Sequence, residues 1–111
     1  MVDTVLLRIA KSAILSQFDK NYVLKREELT DKYPFLDKNG AAFVTLKYDH
    51  QLRGCIGSII AHGKLLDDVI HNAKSAAFGD PRFHPLKNDE FPHLTLEVSV
   101  LTAPEILEYT D

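Results

Sequence analysis

An α+β domain, with an antiparallel sheet that includes a central hairpin and is covered by two main helices, follows from three patterns in this sequence. Apolar residues recur at spacings of three and four over two stretches, the period of a helix with one buried stripe. Between and after those stretches lie runs rich in Val, Thr, Phe and Tyr, one of them alternating apolar with polar. Pro, Gly, Asn and Asp punctuate the joins. The 111 residues suffice for one core and would hardly fill a second, so residues 1–111 read as a single domain.

The first helix rests on Val2, Val5, Leu6, Ile9, Ala13, Ile14 and Phe18, with Asp3 or Thr4 as its cap. Its opposite face carries Arg8, Lys11 and Ser12, so the stripe is expected to pack on a sheet. Residues 20–40 are polar and broken by Tyr33-Pro34 and Asn39-Gly40; a short helix near Lys25–Leu29 and then loop are expected. A strand follows over Ala42–Tyr48, then Asp49-His50-Gln51 turns the chain into a second strand over Leu52–Ile60. The register of that hairpin depends on loop length: a two-residue loop opposes Cys55 with Val44, a three-residue loop with Thr45.

The second main helix spans Lys64–Phe78, with Leu65, Leu66, Val69, Ile70, Ala73, Ala76 and Ala77 inward. Its late alanines allow another backbone close approach, and Gly79 followed by Asp80-Pro81 ends it. In the last strand Leu94, Leu96, Val98 and Val100 alternate with Thr95, Glu97, Ser99 and Leu101, a half-buried pattern.

Composition excludes several function classes. The formal charge is −3, and the 13 basic residues are dispersed rather than gathered into a run. Nucleic-acid binders draw most of their affinity from phosphate neutralisation by basic patches, so nucleic acid is disfavoured. One cysteine makes no internal disulfide, the N-terminal apolar stretch is interrupted by charge, and no apolar run approaches bilayer length. A cytoplasmic protein without a membrane partner is expected.

The single cysteine lies in Leu52-Arg53-Gly54-Cys55-Ile56-Gly57. Unbroken strand alternation would place Arg53, Cys55 and Gly57 on one face. A cation beside a thiol favours the nucleophilic thiolate. Gly54 and Gly57 flank the sulfur, and Gly57 would leave bare backbone where a ligand can approach. Two readings of Cys55 stay open, a small buried hydrophobe or a reactive thiol. Arg53 is equally divided between an ion pair with Glu97 and contact with an anionic ligand. If the polar side of the last strand coincides with the Cys55 face, Glu97 joins the patch as an acid/base group. In Asp80-Pro81-Arg82-Phe83-His84-Pro85, Asp80 and Arg82 either pair with each other or reach into a pocket, whereas Phe83 reads as a core plug. The five histidines are scattered without metal spacing, so no metal site is expected. No cofactor is implied by the residues.

The hexapeptide resembles the hallmark of the AMMECR-type domain family. Phe43-Val44-Thr45-Leu46, Asp80-Pro81-Arg82-Phe83 with Pro85-Leu86, and Leu96-Glu97-Val98-Ser99-Val100-Leu101 fit the same family in the same order. The resemblance implies an intracellular α+β domain of unsettled activity. It is similar to component A of the AmmeMemoRadiSam set, whose other members are a Memo-like protein and a radical SAM protein. Such partners are therefore implied, and with one cysteine here the iron–sulfur chemistry would belong to the partner. Family domains continue through a glycine-rich C-terminal part, so a C-terminally incomplete domain is expected. The two function classes carried forward are a pocket that binds a small anionic ligand or is catalytic through Cys55, Arg53 and Glu97, with Gly54, Gly57, Asp80 and Arg82 in contact, and a protein-interaction module.

Overall fold

Both amphipathic stretches form helices of 14 residues, α1 over Val2–Leu15 and α3 over Leu65–Phe78, and a shorter α2 spans Arg26–Lys32. The structure, a computed structural model, describes residues 2–61, 63–101 and 106–110. α1 begins at Val2, so Asp3 and Thr4 stand inside its first turn rather than before it as expected of caps; their side chains, together with His62, fall outside that description. Strands β1 (Ala41–Tyr48), β2 (Gln51–Gly57), β3 (Leu94–Leu101) and β4 (Ile106–Thr110) make one antiparallel sheet in the order β2-β1-β3-β4. The α+β expectation is met, with the hairpin's β1 inside the sheet and its β2 at one edge.

Helices α1 and α3 cover the face that carries Ala42, Val44, Leu46, Leu96, Val98 and Val100, all buried. The apolar stripes supply the opposing side: Val5, Leu6, Ile9, Ala13 and Ile14 from α1, and Leu65, Leu66, Val69, Ala73, Ala76 and Ala77 from α3. Phe18 closes the end of this layer by an edge contact with Phe78, ring centroids 5.7 Å apart. The second sheet face carries Phe43, Thr45, Lys47, Thr95, Glu97 and Ser99, none of them fully buried.

Two polar residues of α3 sit inside its apolar stripe. Asp68 accepts from the backbone N–H of Ala42 at 2.7 Å and from the Ser58 hydroxyl at 2.8 Å, while Asn72 donates to the Ala42 carbonyl at 2.9 Å. Buried polar groups are tolerated when their hydrogen bonds are made. These bonds tie the start of β1 and the end of β2 to α3. Asp68 and Asn72 stand four residues apart, so they share one helix face, the signal that an apolar count passes over.

The hairpin reaches one of the two expected registers, Cys55 against Thr45, by a different route from a three-residue loop. The loop has two residues, Asp49 and His50, with φ of 48° and 68°, the left-handed pair that matches strand twist. A regular ladder from that loop would set Cys55 against Val44. Instead Leu46 faces Gly54 while Lys47 faces Leu52, so Arg53 is an extra residue without a partner on β1. This bulge returns Cys55 to Thr45. The strand also ends earlier than expected, at Gly57, leaving Ile59 and Ile60 exposed beyond it.

Candidate functional site

The register places Cys55, Thr45 and Glu97 in one row across β2, β1 and β3, on the face opposite the helices. The Cys55 sulfur lies 3.3 Å from the Thr45 hydroxyl. Glu97 accepts from Lys47 at 3.0 Å, with both side chains about one-third exposed (32% and 39%). The polar side of β3 thus coincides with the thiol face. Its ion-pair partner is Lys47, however, and Arg53 does not meet Glu97.

Bulging takes Arg53 out of regular alternation, and the fully alternating Arg53–Cys55–Gly57 face does not form. Its side chain is buried, 8% exposed, beneath the loop that follows α3. The guanidinium grips Glu90 through two bonds, Nε to Oε2 at 2.9 Å and Nη2 to Oε1 at 3.1 Å. Nη2 also donates to the His84 carbonyl at 2.9 Å, and the group lies over the Phe83 ring at 5.7 Å. Its Nη1 is buried without a hydrogen-bond partner. The hydrogen bonds of Arg53 thus go to Glu90 and His84 and not to Cys55. Glu90 had no sequence signal beyond lying in an acidic run; the pairing spans 37 positions.

The cation that does lie beside Cys55 is Arg82. Asp80, buried at the end of α3, accepts from Arg82 Nε at 3.0 Å and Nη2 at 2.7 Å. The same carboxylate accepts from the backbone N–H of Cys55 at 3.1 Å, and Arg82 Nη2 approaches the Cys55 carbonyl at 3.5 Å. Both outward backbone groups of Cys55 on the edge strand are therefore met by side chains. Arg82's hydrogen bonds hold the Asp80 carboxyl far below the usual carboxylate range against the opposing cost of burial, with help from the N–H groups of Arg82 and Cys55. Asp80 in turn raises the Arg82 pKa, through the hydrogen bond it accepts and its charge, against the cost of burial. Arg82 keeps 55% of its side chain in solvent, whereas Asp80 keeps 2%. The two residues pair with each other and also reach the hallmark strand, combining the alternatives the sequence left open.

Each hallmark glycine meets a close neighbour. A methyl at Gly54 would overlap the Ala76 carbonyl oxygen, so this glycine admits α3 against β2. A methyl at Gly57 would overlap the Phe43 ring, which fills the approach beside the thiol. Phe83 is only partly buried and stands between the guanidiniums of Arg53 and Arg82, at 5.7 and 5.5 Å, rather than plugging the core.

The Arg53–Glu90 pair predicts a pH dependence. Hydrogen bonding from Arg53, opposed by burial, pulls the Glu90 carboxyl from 4.5 down to about 2. A depressed carboxylate stabilises the fold above its unfolded pKa and loses that contribution as pH falls through the folded value. Denaturant titrations should show stability level down to about pH 5 and falling by on the order of 3 kcal/mol from this group by pH 2. Glu90→Gln should flatten that slope; an unchanged slope would remove Glu90 as its source.

Among the described residues no group of three or more His, Cys, Asp and Glu side chains could hold a metal, and no helix is long and apolar enough to cross a membrane.

The family model AMMECR1 matches residues 7–111. A protein of Saccharolobus islandicus strain L.S.2.15 is 44% identical over 111 residues, covering 96% of this chain and 47% of its own length. A protein of Aquifex aeolicus is 36% identical, covering 93% and 52%. The crystal structure of an uncharacterised protein from Pyrococcus horikoshii superposes with a TM-score of 0.79 at 35% identity, covering 93% of this chain and 52% of that one. The chain thus spans about half the length of the relatives it matches.

Proposed function

We propose for this chain, which belongs to the AMMECR1 family, a binding wall for a small anionic ligand on the sheet face that bears Cys55. One observation carries the reading: Arg82 is clamped along one edge by buried Asp80 while 55% of its side chain remains in solvent beside Cys55. A guanidinium fixed in this way has little freedom left to lose on binding, and its planar donors suit carboxylate or phosphate. In this reading Arg82 holds the anionic group, Cys55 supplies a contact thiol next to Thr45, and Glu97 offers an acid/base group in the same row. Asp80 is a positioning residue, because it acts through Arg82 and the Cys55 backbone. Arg53 is likewise a positioning residue that anchors the loop carrying Arg82.

Iodoacetate and iodoacetamide test this directly, since they alkylate alike and differ in charge. The folded chain should prefer the anionic reagent relative to free cysteine. Arg82→Gln should reduce that preference about fivefold, the scale of an exposed charge contact worth up to ~1 kcal/mol. A preference insensitive to Arg82, or a Cys55 that reacts only after unfolding, would sink the proposal.

A second reading, an interaction module for Memo-like or radical SAM proteins, is favoured by one observation. Ile59 and Ile60 stand 84% and 73% exposed on the loop leaving β2. Replacing both with Ser would abolish such a complex and leave the iodoacetate preference intact, which separates the two readings.

A further inference from the structure

We infer a second ligand site on the helix side of the molecule, a hollow of about 340 Å³ that takes a small amphiphilic anion with an apolar body and a carboxylate or sulfonate head. Its volume falls within the roughly 300–1,000 Å³ range of small-molecule sites. Leu24 and Leu29 form an apolar floor, both partly buried against the core cluster, and Val23 adds a wall that is 66% exposed. Such a floor recovers free energy from the apolar body of a ligand as its surface leaves water.

The rim gives the hollow its sign. Arg8 comes from α1, Lys25 precedes α2 and Lys32 stands in the last turn of α2. Glu28 is the one carboxylate of the lining, and it lies 3.9 Å from Lys25 in an exposed pair that neutralises little. Arg8 has no ion-pair partner among the described residues. Lys32 lies over the Tyr33 ring at 5.6 Å, which holds its ammonium near the rim. Three cations against one carboxylate is a local excess on a chain whose net charge is −3. Two other hollows carry a smaller excess or none: one of about 280 Å³ has Arg26 and Lys74 against Asp67, and one of about 260 Å³ has Lys64 against Asp67 and Asp68. None of the residues lining the 340 Å³ hollow belongs to the Cys55 face, so this inference stands apart from the sheet-face proposal.

The probe is anilinonaphthalene sulfonate, an apolar ring system with a sulfonate head, titrated against the folded chain at low and high salt. Saturable fluorescence at one dye per chain, weakened by salt and displaced by octanoate, is expected. Arg8→Glu with Lys32→Glu should lower the affinity at least about tenfold, because two attractive charges become repulsive ones. Lys38→Glu with Lys87→Glu changes the net charge equally at exposed positions elsewhere and should leave the affinity within about twofold. Equal losses in the two pairs would reduce the effect to bulk charge and overturn the site. Dye-induced amide shifts in the unaltered chain give a measure independent of variant folding. Shifts centred on Leu24 and Leu29 support the site; shifts elsewhere, or no saturable binding, overturn it.

Discussion

Gly54→Ala is expected to destabilise the chain by about 3 kcal/mol, at the upper end of overpacking costs, and to lower its melting temperature by roughly 15 °C. The added methyl overlaps the carbonyl oxygen of Ala76, a backbone atom in the last turn of α3. Neither partner can move alone: β2 is paired to β1, and α3 is tied to β1 through Asp68 and Asn72. The helix must lift from the strand, exposing part of the apolar layer around Val69 and Ala73. Gly57→Ala provides the control. Its methyl meets the Phe43 ring, a side chain on the face that no helix covers, and the ring can swing aside. That substitution should cost no more than about 1 kcal/mol. Equal losses in thermal melts of the two variants would show that helix approach is not what Gly54 provides.

Arg53→Ala should cost about 3–5 kcal/mol, because it strands the Glu90 carboxylate, 18% exposed, with no cation to meet it. The loop between α3 and β3 would also lose its bond from Arg53 to the His84 carbonyl and the ring contact at Phe83. Arg53→Met together with Glu90→Met removes both charges while keeping bulk, and exchanges of this kind are frequently neutral or stabilising. A small loss in that double variant, beside a large one in Arg53→Ala, would show that the pair serves position rather than net stability. The uncapped Nη1 of Arg53 points the same way, since a guanidinium retained for stability alone would be expected to use its donors. Denaturant titrations of the three chains decide the matter. A small loss in Arg53→Ala would refute the account.

The helices and the last strand were legible because their signal is local. The stripe in α1 and the alternation in β3 each state which side is buried, and the buried residues agree. Cys55, Thr45 and Glu97 lie in one row across the sheet, a coincidence of faces that the alternation of β3 alone leaves open. The neighbours of Cys55 were harder to read. One extra residue at Arg53 reverses the expectation drawn from strict alternation, and a bulge leaves no composition signature in a stretch that already contains two glycines. Glu90, the true partner of Arg53, is fixed by how the loop crosses the strand edge. Lys47 and Glu97 pair across adjacent strands, a relation visible only once register is known. Asp68 and Asn72 were hidden for another reason: their burial depends on backbone groups of β1 that no pattern within α3 announces.

The clasp of Asp80 and Arg82 on Cys55 also bears on how the chain keeps to itself. A strand at the margin of a sheet offers unpaired N–H and C=O groups on which another molecule can build. On β2 those of Cys55 are already engaged, by a carboxylate and a guanidinium standing where a fifth strand would lie. The ion pair thus imitates a neighbouring strand at one residue and puts charge in the path of any real one. The polar chemistry beside the thiol and protection against intermolecular sheet growth are two uses of the same pair of side chains.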